Sequence, residues 1–486
     1  MRKSGILLHL SSLSGKFGIG TLGKETYDFI DFLKESGVSC WQMLPIGPTG
    51  FGDSPYQPFS TFAGNPYFIS PELLFEDGLI DEAALSSIER KSQRVDYCDL
   101  YNSVFDLLRV AFSNFEPNDD YHSFICREWY WLNDYALFMA LKAANGNLSW
   151  EDWQPPHKLR DPQALMSFEQ ANRRDVDFWK FVQYEFFKQW SSLKDYTSQN
   201  GIELIGDLPI YVALDSADVW AHPEQFQLDD ERHPKAVAGC PPDYFSKTGQ
   251  LWGNPLYDWD AMRYDGYSWW VSRINHQSKL FDRLRIDHFR GFEAYWSVPA
   301  GDETAENGCW VKGPEIELFD TIKRCVGDIP IIAEDLGVIT DGVRDLLKQT
   351  GYPGMKVLGF AFTKGYNSDY LPFNHIENCI CYTGTHDNDT LLGWLSTESE
   401  ENLRYTYRFT HTDNPTDCVS AIVDLAWSSR AKLCIVPMQD LLCLGSEARM
   451  NTPSVSEGNW TWRLPEGALS KVLSERLIEL NETFYR

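Results

Sequence analysis

Three short stretches gather carboxylates where otherwise apolar runs stop: Arg285-Ile286-Asp287-His288-Phe289-Arg290-Gly291, Ala333-Glu334-Asp335-Leu336-Gly337 and Thr385-His386-Asp387-Asn388-Asp389. Convergent carboxylates suit glycosidic-bond chemistry, in which one acts as nucleophile and another donates a proton to the leaving oxygen. On a strand, Arg285 and Asp287 point to one face and Ile286 and His288 to the other. An arginine beside Asp287 favours the ionised carboxylate, the form a nucleophile needs. The same pair could also serve only as a buried ion pair that holds the fold together.

Glu334 needs the opposite state, because a leaving sugar oxygen must receive a proton. Two carboxylates about 5 Å apart at an effective dielectric of about 20 repel by roughly 3 kcal/mol, or about two pKa units. That brings a glutamate near neutrality if Arg285 screens Asp287 more than Glu334. The bland alternative makes Glu334 and Asp335 a capping pair at a helix start. His386-Asp387-Asn388-Asp389 has two competing readings. It lacks the glycine and terminal glutamate of a calcium loop, and no second histidine sits at ligand spacing, so no metal is expected. Asp389 reads as an N-cap before Thr390-Leu391-Leu392, which leaves Asp387 free.

These residues need strands to carry them. Short apolar runs bounded by turn residues fall near 4–10, 38–44, 202–207, 283–288, 329–334, 354–360, 378–383 and 431–436, with helical patterns between most of them. Helical periodicity covers 24–36, 262–280, 340–350 and 414–429. Several strands, such as Ile329-Pro330-Ile331-Ile332-Ala333, are apolar throughout, as strands covered on both faces are. The pattern predicts an α/β chain forming a closed (β/α)8 barrel, with reacting groups at the C-terminal strand ends; a doubly wound open sheet is second. Between about 72 and 200 the alternation fails and the chain reads as aromatic-rich helices, with Phe178, Val182, Phe186 and Trp190 forming one apolar stripe. The expected division is a barrel from 1–71 and 200–486, with loop insertions, and a mainly helical insertion over 72–199.

Composition narrows the partners. At 486 residues the chain exceeds one ordinary compact core unless it is a barrel or carries an inserted subdomain. A formal net charge of −27 argues against nucleic acid and against an anionic membrane surface, whereas a neutral sugar feels little of it. Eleven cysteines include no CxxC pair, which predicts free thiols in a reducing cytoplasm. Strand-like Gly5–Leu10 begins almost at once, and no run is long and apolar enough to span a bilayer, so a soluble cytoplasmic protein is expected. Aromatic residues make up 14% of the chain. Most belong to packing, but those in the turn-rich Ser54-Pro55-Tyr56-Gln57-Pro58 and Gly249-Gln250-Leu251-Trp252-Gly253-Asn254-Pro255 offer flat faces to sugars.

With these motifs in order, the chain closely resembles the amylomaltases, the 4-α-glucanotransferases of glycoside hydrolase family 77, from near residue 4 to its end. Further matches are Gly5-Ile6-Leu7-Leu8-His9-Leu10-Ser11-Ser12-Leu13, Gly64-Asn65-Pro66-Tyr67, Gly206-Asp207-Leu208-Pro209-Ile210-Tyr211-Val212 and Pro241-Pro242-Asp243-Tyr244-Phe245. The resemblance implies a retaining double displacement on maltooligosaccharides and α-1,4-glucans without metal or cofactor. By that resemblance Asp287 is the nucleophile, Glu334 the acid and then base, and Asp387 the stabiliser of the charge-deficient sugar. Arg285 and His386 flank the bound glucose, Tyr56, Asp207, Trp252 and Asn254 line the donor cleft, and Pro241–Pro255 forms a lid. Nothing in the sequence demands an oligomer.

Two departures stand out. Leu371-Pro372-Phe373-Asn374 has phenylalanine where the family usually has histidine, which removes a polar sugar contact. Ser454 follows Met450-Asn451-Thr452-Pro453 where a glycine is common, which alters a rim loop and leaves the chemistry alone. Transfer and hydrolysis share the covalent intermediate, and bulk water is about 55 M, so transfer requires acceptor binding in a closed, poorly hydrated site. An α-1,4-glucan hydrolase is therefore the nearest rival, followed by a non-catalytic glucan-binding barrel and a metal-dependent barrel hydrolase.

Overall fold

The computed structural model describes residues 2–242, 246–455 and 457–486. Eight short parallel strands form a closed barrel: β1 (Lys3–Leu7), β2 (Cys40–Gln42), β3 (Glu203–Leu208), β4 (Arg283–Ile286), β5 (Ile331–Ala333), β6 (Gly354–Val357), β7 (Cys379–Tyr382) and β8 (Leu433–Pro437). Each pairs with its neighbour in chain order. Gly5 on β1 pairs with Cys40 on one side and Ile435 on the other, which closes the ring and excludes an open doubly wound sheet. All eight strands lie where the apolar runs place them. Six of them stop earlier at their C-terminal ends, where the residues beyond belong to turns, whereas β3 and β8 run one residue further than expected.

Helices Lys24–Glu35, Asp341–Thr350 and Pro415–Ser428 match their periodicity within a residue. The expected helix over 262–280 is instead two, Trp259–Tyr264 and Ser268–Leu280. Gly266 and Tyr267 both have positive φ and stop the first helix, while the Asp265 carboxylate accepts the Ser268 N–H and starts the second. Periodicity ran through this break because Met262, Tyr267, Trp270 and Ile274 are all buried.

Between β2 and β3 the chain is helical, and Ser70, Asp81, Asp96, Asn118 and Asp161 each cap a helix by accepting a first-turn N–H. The stripe on helix Arg173–Gln199 is buried along its length. Phe186 lies on Gly64, where a Cβ would strike its ring, and Trp190 packs edge-on against Phe281 at 5.4 Å. Phe281 in turn covers Gly206, the residue before Asp207 on β3. Two motif glycines are thus explained by close aromatic approach to backbone.

A four-stranded antiparallel sheet was not anticipated. It orders Gln250–Pro255, Ala236–Cys240, Ala294–Pro299 and Cys309–Lys312, joining the segments that follow β3 and β4. Trp252 and Asn254, read from sequence as loop residues, therefore stand on a strand. The turn-rich composition misled because Gly253, with φ 76, sits inside that strand. Within the expected lid, Asp243-Tyr244-Phe245 lies outside the described residues.

Replacing Gly206 by alanine should force a methyl into the Phe281 ring and cost about 1–3 kcal/mol, read as a lower urea midpoint. Phe281→Leu in the same chain should recover part of that loss.

Candidate active site

Strand register sets the first contact. Asp207 on β3 pairs with Arg285 on β4, and paired parallel residues share a face. Arg285 Nη1 donates to both Asp207 oxygens at 2.6 and 2.7 Å, and Nη2 lies 3.0 Å from Asp287 Oδ1. Arg285 and Asp207 are buried, while the Asp287 side chain is 29% exposed. Burial pushes the Asp207 carboxyl up and the Arg285 guanidinium pulls it back. Burial alone would weaken Arg285 as a cation, but Asp207 and then Asp287 hold it firmly protonated. Asp287 thus has a fixed cation on one oxygen and an open side.

The next register places Glu334 beside Asp287. Ile286 pairs with Ala333, and the Glu334 N–H donates to the Ile286 carbonyl at 3.0 Å. Both Glu334 oxygens are held: Oε2 accepts the His288 N–H and Oε1 the Leu336 N–H, each at 2.7 Å. His288 can aim its N–H there because its backbone is left-handed, with φ 47. The Glu334 carboxyl is pushed up to about 8, first by burial and second by the Asp287 charge, against the pull of Arg285 and the two N–H donors. Repulsion by Asp287, expected from the sequence, is thus second to burial. Asp335 turns away and accepts the Met355 N–H at 2.6 Å, while Thr340 caps helix Asp341–Thr350, so Glu334 and Asp335 are no capping pair.

From Asp207 the contacts continue around the mouth. The Tyr56 hydroxyl donates to Asp207 Oδ2 at 2.8 Å and meets His386 Nδ1 at 3.3 Å, with the two rings stacked at 4.8 Å. His386 Nε2 lies 3.3 Å from Asp387 Oδ1. The segment carrying Tyr56 is held from below: buried Arg273 donates to Thr61 Oγ1 and to the Pro209 and Ile210 carbonyls, and Asp218 accepts the Thr61 N–H at 2.8 Å. Asn254 also serves this scaffold. Its amide donates to the Val212 carbonyl at 2.8 Å and exchanges bonds with the Gln57 amide at 3.3 Å, so its polar atoms are engaged within the protein. Trp252 is half-buried and meets edge-on, at 4.8 Å, the ring of His288, whose backbone N–H donates to Glu334.

Several participants escaped the sequence reading. Asn451 donates to Asp387 Oδ1, Arg449 to the Asp387 carbonyl, and Trp460 packs near both His386 and Tyr56. Only the motif Met450-Asn451-Thr452-Pro453 pointed to that segment. Asp389 does not cap the following helix: Thr390 does, and Asp389 accepts the Ser446 hydroxyl. Ser454 takes φ 66, the left-handed turn a glycine would favour, so the loop keeps that shape without one. Phe373 lies on the surface near Phe409, with ring centroids 6.4 Å apart. Among the described residues no group of three or more His, Cys, Asp and Glu could hold a metal ion.

Comparison with known proteins bears on this geometry. Residues 8–470 match the sequence profile of the family described as 4-alpha-glucanotransferase. A 4-alpha-glucanotransferase of Clostridium butyricum is 47% identical over 99% of this chain and 100% of its own. One from Thermus thermophilus is 48% identical over 100% and 99%. Among solved structures, an amylomaltase from Streptococcus agalactiae in complex with acarbose superposes with a TM-score of 0.97 at 39% identity, covering both chains fully.

The buried pair gives a test. Arg285→Leu leaves Asp207 without its cation and should cost about 3–5 kcal/mol in urea unfolding, much of which Asp207→Asn in the same chain should restore.

Proposed function

Because the chain belongs to the 4-alpha-glucanotransferase family, and so is a glycosyl-transferring enzyme on a (β/α)8 barrel, we propose that Asp287, Glu334 and Asp387 carry its reaction on α-1,4-glucans. The observation that carries this reading is a pair of adjacent carboxylates in unlike surroundings. Asp287 is ion-paired to Arg285, while Glu334 is held neutral by burial and by Asp287 itself.

An ionised Asp287 oxygen attacks the anomeric carbon of a bound glucan as the bond to the leaving 4-oxygen breaks. Glu334 gives its proton to that oxygen, and the leaving chain departs with a free 4-hydroxyl. The sugar is now esterified to Asp287. An incoming 4-hydroxyl attacks the same carbon, passes its proton to Glu334, and releases the Asp287 carboxylate. Two inversions give retention. After the first transfer the Glu334 carboxylate is steadied by the His288 and Leu336 N–H groups, which suits its second role as base. Asp387 stabilises the positive charge that develops on the ring and accepts from its hydroxyls, with His386 beside it.

The aromatic cluster of Tyr56, His386 and Trp460, together with Trp252 against His288, favours a sugar over water as acceptor. Neutral maltooligosaccharides suit a chain of this negative charge. Cys40, Cys379, Cys381, Cys418 and Cys434 are buried thiols outside any disulfide, and no helix among the described residues is long and apolar enough to cross a membrane, which supports a reducing compartment such as the cytoplasm.

Incubation with maltotriose should yield glucose together with a ladder of longer chains; shorter products alone would indicate hydrolysis. Asp287→Asn should lower turnover by on the order of 10³-fold or more, and unchanged turnover would remove the nucleophile assignment. Glu334 must be protonated to start the reaction, and that form is lost as pH rises through about 8. kcat/KM should therefore fall on the alkaline side of about 8, and Glu334→Gln should abolish that limb along with most activity.

A further inference from the structure

Asp387 arrives on the loop after β7, but the loop after β8 fixes its carboxylate. Asn451 Nδ2 donates to Asp387 Oδ1 at 2.6 Å. Arg449 Nη2 donates to the Asp387 carbonyl and Arg449 Nε to the Asn451 carbonyl, both at 2.7 Å. The Asn451 N–H closes the set by donating to the His386 carbonyl at 3.1 Å. Two neighbouring loops are thereby locked residue against residue at the point where the third carboxylate enters the site.

The segment behind Asn451 is itself fastened. Asn459 Oδ1 accepts the Thr452 N–H at 2.9 Å, and Asn459 Nδ2 donates to the Val455 carbonyl at 2.7 Å. The Trp460 N–H returns to the Met450 carbonyl at 2.8 Å, and the Trp460 ring lies near His386 and Tyr56. The Asp387 side chain is 46% exposed, so without a partner it would sample several rotamers. Among the described residues, its side-chain contacts with Asn451 and His386 both fall on Oδ1. Oδ2 is left to accept from a sugar hydroxyl.

We propose that Asn451 is a positioning residue for transfer: by engaging Oδ1 it fixes the Asp387 carboxylate in the orientation that stabilises the charged sugar. Arg449 supports it by clamping both backbones. The proposal rests on the reading of Asp387 given above.

The test is a double-mutant cycle on maltotriose with Asn451→Ala, Asp387→Asn and both together. Misplacing a reacting group by about 1 Å can cost about 10²-fold, so Asn451→Ala should lower kcat by about 10- to 100-fold while KM changes less than about twofold. In the Asp387→Asn background the same substitution should cost less than about threefold more. Asn451→Asp, equal in shape but unable to donate, should lose at least as much, and it keeps the test decisive if the alanine variant folds poorly. A rise in KM at constant kcat would make Asn451 a sugar contact and overturn the proposal, as would losses that multiply in the double variant. Should Asp387→Asn alone keep wild-type kcat, the reading of Asp387 itself fails, whatever Asn451 does.

Discussion

A single buried guanidinium keeps the site's charges in order. Arg285 stands inside the barrel with Asp207 on one nitrogen and Asp287 on the other. Remove it and Asp207 becomes an unpaired charge in the interior, while Asp287 loses its ion-pair partner. The arrangement follows from register. A parallel pairing that sets Asp207 opposite Arg285 also sets Ile286 opposite Ala333, and the next step along brings Asp287 and Glu334 together. One slip of a residue would send these side chains to the opposite face.

From that guanidinium, contacts run around half the mouth. Asp287, Arg285, Asp207, Tyr56, His386, Asp387 and Asn451 form an unbroken series, each within 3.3 Å of the next. Members come from β3, β4, the segment after β2, and the loops after β7 and β8. Such a series resists displacement of any one member, because moving Tyr56 disturbs both Asp207 and His386. It also ties this half of the site to barrel integrity, since Arg273 anchors the Tyr56 segment from a helix on the barrel's outer face.

Glu334 lies outside the series and is treated differently. Among the described residues its oxygens accept backbone N–H groups, and Arg285 pulls on it without forming an ion pair. Burial and the neighbouring Asp287 charge then outweigh the two N–H donors, which favour the ionised form. One carboxylate receives the arginine and the other does not, an asymmetry that suits the nucleophile and acid roles proposed for them.

Much of this was legible in the amino-acid order. Apolar runs punctuated by turns located all eight barrel strands, because a strand covered on both faces must be apolar throughout. The carboxylates stood out because charge at the end of such a run is costly without a use. The sequence also showed Arg285 and Asp287 on one face, since that follows from alternation alone. It did not show that Asp207 takes the other half of the guanidinium, that burial dominates at Glu334, or that Asn451 reaches Asp387 across 64 positions of chain. Nor did it show the antiparallel sheet, whose strands are separated by β4 and the mouth of the barrel. Local pattern encodes which residues are buried and which way a strand faces. Only closure of the barrel decides which distant side chains become neighbours, and partnership and solvent exclusion there set the charge each group carries.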